Sequence, residues 1–224
     1  KNDNHMSNLL GQLGTKTAED IFHAILEGDI EKLKASFTTK QIEAQKKRGR
    51  DIVQQAAIWC ASRGRLELLR RFLGLSPVFK AIEEEKVVGI VHGLCHYSPT
   101  PDEVDNFEEV FELALHLGEK VNEKVSGSDT PLHCAVVTEN KVAVKILLSH
   151  GAFTNVVNAA GQTELHIAVK TGNVDVVQSL LMAGCDASIR NSSGEDVIHL
   201  AERIGRHQIL SYLSEGKKST KKEA

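Results

Sequence analysis

Three histidines, His133, His166 and His199, are spaced by 33 residues and then by 33 again, and their surroundings repeat with them. Thr130-Pro131-Leu132-His133-Cys134-Ala135 is followed by Thr163-Glu164-Leu165-His166-Ile167-Ala168, and then by Asp196-Val197-Ile198-His199-Leu200-Ala201. A second block keeps a fixed offset from each histidine. It reads Val144-Lys145-Ile146-Leu147-Leu148 with Gly151, Val177-Gln178-Ser179-Leu180-Leu181 with Gly184, and more weakly Leu210-Ser211-Tyr212-Leu213 with Gly216. A period of this size marks a stacked-repeat architecture, in which each unit is one supersecondary motif that must bury its apolar face on its neighbours.

Each unit reads as two short helices. Thr130 and Thr163 are placed to cap the first helix through backbone N–H groups, and Pro131 fits its first turn. Leu132 and Ala135 lie at i and i+3 and share a face, with the small Ala allowing close approach of the next helix. Gly172 and Gly205 supply the turn between helices, and Gly151 and Gly184 sit where the second helix ends in a left-handed residue. Residues 153–162 and 186–195 then leave room for a finger closed by Gly161 or Gly194.

The small residue two places after the histidine extends the register backwards as Ala201, Ala168, Ala135, Gly93, Cys60 and Ala24. The inter-helix turn runs Gly205, Gly172, Glu139, Asn106, Gly64 and Gly28. Gly93 to Asn106 is 13 residues where the clear repeats have 4, so repeat three is expected to carry nine extra residues around Ser98-Pro99-Thr100-Pro101-Asp102-Glu103. Asp102 reads as the N-cap of the following helix, and a second docking site is the alternative for this insertion. The Thr38–Arg50 connection gains three residues. The result is six repeats, near 17–50, 51–83, 84–127, 128–160, 161–193 and 194–216.

Thr130–Ala135 reproduces letter for letter the TPLHxA signature of the ankyrin family, which residues 128–216 resemble specifically and the earlier residues more loosely. The resemblance implies an all-α ankyrin-repeat solenoid of about six helix-turn-helix repeats with short β-hairpin fingers. It also implies that the histidine ladder is structural, hydrogen-bonding within and between repeats. The end repeats read as caps, since repeat one lacks the signature and repeat six places Ser211, Ser214 and Glu215 where inner repeats have Leu. Lys1–His5 reads as a tag remnant before Met6, within a leader spanning 1–16, and residues 217–224 read as a basic solvated tail.

Composition removes several classes of function. No apolar run approaches the ~18–20 residues that span a bilayer, and the start has no secretory signal pattern. Cys60, Cys95, Cys134 and Cys185 lie 35, 39 and 51 residues apart with no CxxC pair, as reduced structural thiols do. There is no phosphate-cradling GxxxxGK[ST] or GxGxxG loop. His92 and His96 are at i, i+4 with Cys95 between them, but no fourth ligand accompanies them, so packing rather than metal binding is expected. No catalytic residue, cofactor or small-molecule substrate is expected.

A non-catalytic module that binds a protein partner on a concave finger and first-helix face is therefore the expected function, as an adaptor, inhibitor or targeting subunit. The alternative is the recognition arm of a larger enzyme, or of an effector that an intracellular bacterium delivers into host cells. The resemblance places the partner contacts at Ser128, Asp129, Glu139, Asn140, Gln162, Glu164, Asn173 and Glu195. Phe153 and Val197 join them as apolar residues in place of the family's polar residue and proline, and Trp59 joins with inter-repeat packing as its alternative. The charge is bipolar: nine bases against three acids over Lys40–Arg71, and twelve acids against three bases over Glu83–Asp129. Such a field steers a partner, although solvated surface runs are the ordinary reading. The basic stretch has too few interleaved aromatics for nucleic acid to lead. The setting expected is the cytoplasm, with the nucleus or a host-cell cytosol as alternatives, and the chain alone is expected to be a monomer.

Overall fold

A computed structural model of the chain describes residues 16–37, 52–73, 89–116, 120–124 and 129–219. They form twelve α-helices and, among the described residues, no strand. Paired as helix-turn-helix units, these are α1 (Lys16–Glu27) with α2 (Ile30–Ser36), α3 (Ile52–Ser62) with α4 (Leu66–Leu73), and α5 (Ile90–Cys95) with α6 (Val104–His116). They continue as α7 (Pro131–Val137) with α8 (Lys141–Ser149), α9 (Glu164–Thr171) with α10 (Val174–Met182), and α11 (Val197–Arg203) with α12 (His207–Ser219). The chain divides into two compact units, 1–94 with 105–119 and 95–104 with 120–224.

The repeat register is visible in the backbone. After the first helix of four repeats, the residue following the turn donates its N–H to the small residue of the register: Asp29 to Ala24, Arg65 to Cys60, Asn140 to Ala135 and Arg206 to Ala201, each at 2.9 Å. This six-to-one bond, with the turn residue at positive φ, is the Schellman closure that satisfies the last helical carbonyls. Gly28, Gly64 and Gly205 hold that turn, and Glu139 holds it at φ 55° although it pays the Cβ penalty.

In the first unit the core is built from Ala24, Ile25, Leu33, Cys60, Leu69 and Phe72, all fully buried. Phe37 and Phe72 meet edge to face at 4.8 Å. Gly93 keeps the register for a steric reason, because a Cβ there would stand 3.0 Å from Ala61 Cβ and 3.1 Å from the Ile58 carbonyl. In the second unit each first helix starts on a capped Thr or Asp. Thr130 accepts from the His133 amide, Thr163 from His166, and Asp196 from both Ile198 and His199. The second helices of repeats four and five start on Asn140 and Asn173, whose side chains accept from Ala143 and Val176.

Repeat three departs from the expected layout. Asn106 is not a turn residue but lies inside α6. The helix begins early because Thr100, Pro101 and Glu103 start it: the Glu103 carboxylate accepts from the Thr100 N–H at 2.9 Å and its hydroxyl at 2.7 Å, and Pro101 fits the first turn. Thr100, not Asp102, is the cap, and the extra residues divide between the second helix, 13 residues long against 9 in repeat four, and the connection before it, which carries the 3-10 turn Pro101–Glu103. At the other end α12 runs to Ser219, past Gly216, which lies within the helix. Residues 1–15 of the expected 1–16 leader, the Thr38–Arg50 connection and residues 220–224 of the expected 217–224 tail fall outside the described residues, while Lys16 begins α1 and residues 217–219 end α12.

Candidate functional site

The fingers that lead into repeats five and six are tight closures, not the expected strand hairpins. In the first, Asn158 N–H donates to the Gln162 carbonyl at 3.0 Å, Gly161 N–H returns to the Asn158 carbonyl, and Asn158 Oδ1 takes the amides of Ala160 and Gln162. Asn191 does the same with Glu195, Gly194 and Ser193 one period later. The asparagine side chain thus supplies acceptors that a paired strand would otherwise have provided, and two residues of ladder suffice.

The histidines tie these fingers to the helices. Thr130 and Thr163 backbone N–H groups each point at the Nδ1 of His133 and His166, 3.3 Å away, so that nitrogen is an acceptor and the proton sits on Nε2. His133 Nε2 then donates to the Gln162 carbonyl at 3.3 Å and His166 Nε2 to the Glu195 carbonyl at 3.1 Å, each in the next repeat's finger. Both rings are buried, and desolvation lowers the pKa of His133. His199 is exposed and its Nδ1 lies 2.8 Å from Asp196 Oδ1.

The expected contact residues separate by burial. Asn140, Glu164, Val197 and Trp59 are buried, and a side chain enclosed by the stack cannot touch a partner on the outside, so these four leave the contact set. The causes differ. Glu164 and Val197 occupy the position that Pro131 holds in repeat four, and all three are buried. Asn140 turns back to the preceding repeat and donates to the Tyr97 carbonyl at 2.5 Å, as Arg65 does to Leu26 and Arg206 to Lys170. Trp59, next in sequence to the register residue Cys60, is enclosed in the first unit at 4% exposure. Ser128 lies outside the described residues. Asp129 and Glu139 are exposed, Gln162, Asn173 and Glu195 are partly exposed, and Phe153 is 65% exposed.

Glu164 is unusual. Its carboxylate is fully buried, its Oε1 lies 3.4 Å from His133 Nδ1, and neither oxygen makes a hydrogen bond of good geometry, only weak approaches from the backbone amides of Glu164 and Asn155. Burial pushes its pKa up to about 7, against a partial offset from its own and Asn155's backbone amides. The facing His133 nitrogen is a lone-pair acceptor on a ring whose pKa is lowered, so the pair is not a salt bridge.

The 33-residue offset also reveals exposed residues that the sequence reading left out. Val137, Lys170 and Arg203 form one such row at the ends of the first helices, all exposed, with Val137 at 56%. Lys124, Val157 and Arg190 form another on the fingers, also exposed. The finger row Asp129, Gln162 and Glu195 lies beside the helix-end row, because Arg203 donates to Glu195 Oε1 at 2.5 Å and Oε2 at 3.0 Å. These hydrogen bonds, with Lys170 adding its field, hold the Glu195 carboxyl below its ordinary value. Period-matched exposure of charged and apolar residues was the signal available in the sequence.

Burial pushes the thiols of Cys60 and Cys185 up to about 12 and that of Cys134 up to about 11, far from the thiolate range. Among the described residues no three His, Cys, Asp or Glu side chains converge to hold a metal ion, and no helix is long and apolar enough to cross a membrane.

Capped helix pairs stacked at a 33-residue period, tied by a histidine to the next finger, define a repeat protein of interaction type. The family model for ankyrin repeats (3 copies) matches residues 103–191 and 165–223, more than half of the chain, and the chain belongs to the ankyrin-repeat family. An ankyrin repeat protein of Rickettsia bellii (strain RML369-C) is 33% identical over 88 residues, covering 38% of this chain and 36% of that protein. One from Fowlpox virus (strain NVSL) is 40% identical over 57 residues, covering 25% and 17%. The chain thus spans about a third or less of each of these relatives. Ankyrin repeats are in general non-catalytic modules for binding proteins.

Proposed function

We propose that residues 120–219 bind a protein partner on the face made by the fingers and the C-terminal ends of the first helices, without catalysis. The observation that carries this reading is the pair of rows that reach solvent, Asp129/Gln162/Glu195 (partly exposed at Gln162 and Glu195) and Val137/Lys170/Arg203, repeating with the period of the stack. Stacking accounts for the buried positions and leaves these rows to solvent or a partner. Val137, Val157 and Phe153 add exposed apolar surface to the same finger and helix-end elements, the kind of residue that carries interface energy. The roles that follow are adaptor, inhibitor or targeting subunit, working as a monomer in the cytoplasm.

Affinity capture from cell lysate tests it, read by mass spectrometry with three baits whose folding is checked by circular dichroism. The wild-type protein is compared with a face variant (Gln162→Arg with Lys170→Glu) and a second-helix variant (Lys145→Glu with Gln178→Lys). A partner held by the wild type and the second-helix variant, and lost from the face variant, is the expected result. A partner held equally by all three, or lost only from the second-helix variant, would overturn the face assignment.

The second reading, a recognition arm of a larger protein or delivered effector, is favoured by the length of the relatives, of which the matched part is only 36% and 17%. Capture by a longer native polypeptide, where this chain alone captures nothing, would favour it.

A further inference from the structure

Arg203 bonds Glu195, and the 33-residue offset aligns Gln162 with Lys170 and Asp129 with Val137 in the same two rows of the proposed face. Only the Glu195–Arg203 pair is internally neutral, with the guanidinium held by two bonds to the carboxylate. In repeat five the finger residue opposite Lys170 is an uncharged amide, and in repeat four the helix-end residue opposite Asp129 is a valine. Asp129 and Lys170 are both exposed and neither is held in an ion pair at contact distance among the described residues, although the field of Lys170 reaches Glu195. They belong to neighbouring repeats, whose first helices pack at a spacing of about 8–10 Å. Val137, 56% exposed, belongs to the same repeat as Asp129. Sequence alone hides this arrangement, because the count of charges is nearly balanced while their pairing is not.

We infer that the partner segment presents a carboxylate to Lys170, a cation to Asp129 and an apolar side chain to Val137. The inference rests on the proposed binding face and specifies the chemistry of its occupant. Unmatched charges on a rim fix the register of a partner and reject segments of the opposite polarity, since placing like charges together is costly. Val137 supplies the desolvated contact that the charges orient. Lys124 and Arg190, flanking Val157 on the fingers, add positive field at the edge and favour a segment with net negative charge.

The test is selection of a random phage-displayed peptide library on four folded baits: wild type, Lys170→Glu, Gln162→Trp and Lys145→Glu. Wild type and Lys145→Glu are expected to enrich peptides that join an acidic residue, an apolar residue and a basic residue. Those peptides should bind Lys170→Glu at least about tenfold more weakly, and Lys170→Glu should itself enrich a basic residue at the matching place. Peptides blocked by Gln162→Trp yet indifferent to Lys170→Glu would overturn the charge pattern while leaving the face in place. Peptides indifferent to both would overturn the face and the inference with it. An absence of any enriched peptide would also overturn the inference, since a face built for one linear segment must retain some.

Discussion

Repeats four and five and repeat six carry the same histidine at the same offset, yet its fate differs. His133 and His166 are buried and reach a carbonyl in the next finger, whereas His199 is exposed and is held locally by Asp196. The neighbouring positions follow suit: Leu165 and Val169 are fully buried in repeat five, while their equivalents Ile198 and Glu202 stand partly or largely in solvent. Burial of the signature is thus a property of the junction between repeats, supplied by the following unit. A repeat contributes half of each interface and depends on its neighbour for the rest.

The sharpest way to break that comparison is to remove one ring from each class. His166→Leu deletes the bond to the Glu195 carbonyl and leaves the Thr163 groups without their acceptor, so urea unfolding followed by circular dichroism should show a loss of about 2–4 kcal/mol. His199→Leu should change stability by less than about 0.5 kcal/mol, as exposed substitutions do. Equal losses would place the histidine's contribution within its own repeat.

Glu164 gives a pH-dependent contrast with Pro131 at the same position. Its pKa is about 7 in the folded chain against an ordinary 4.5, so the folded state keeps a proton that the unfolded state has released. The contribution of Glu164 to stability is therefore highest below about pH 4.5, falls as pH rises, and levels off above about 7, a loss on the order of 3 kcal/mol from this group. Glu164→Pro, which copies repeat four, should remove that slope and raise the melting temperature at pH 8. A slope unchanged in the variant would assign the pH dependence elsewhere.

A smaller effect separates the turns. Gly172 sits at φ 86°, and a Cβ there would stand 2.7 Å from the Arg206 guanidinium, which bonds the Lys170 carbonyl at 2.8 Å. Gly172→Ala should cost about 1–2 kcal/mol, combining left-handed strain with displacement of that arginine. Gly205→Ala has the same backbone sign with nothing within 4 Å of the new Cβ, and should cost only about 1 kcal/mol.

These contrasts also mark what the sequence could show. Period, small-residue register, caps and turn glycines were legible, because each is a local requirement of a short helix pair: Ala24, Cys60, Ala135 and Ala201 all accept the same closing bond. Asn106 misled because local capping by Thr100 and Glu103 outranks a register extrapolated across an insertion. Glu164, Val197, Asn140 and Trp59 were read as contacts because offset within a repeat says which element a side chain is on. It does not say whether the next repeat closes over that side chain. The apolar residues at two of the three 131/164/197 positions were the available warning. The juxtaposition of the Asp129/Gln162/Glu195 row with the Val137/Lys170/Arg203 row needed the structure, since the observed Glu195–Arg203 bonds show that these rows face each other.

The junction account is tested most directly by long-range ¹H–¹⁵N correlation spectra of the imidazole rings in the intact protein at neutral pH. His133 and His166 should each show one fixed tautomer with the proton on Nε2, while His199, whose Nδ1 faces the Asp196 carboxylate, does not show that signature. Averaged signals of the same kind from all three rings would contradict the claim that the next repeat buries and orients the ladder.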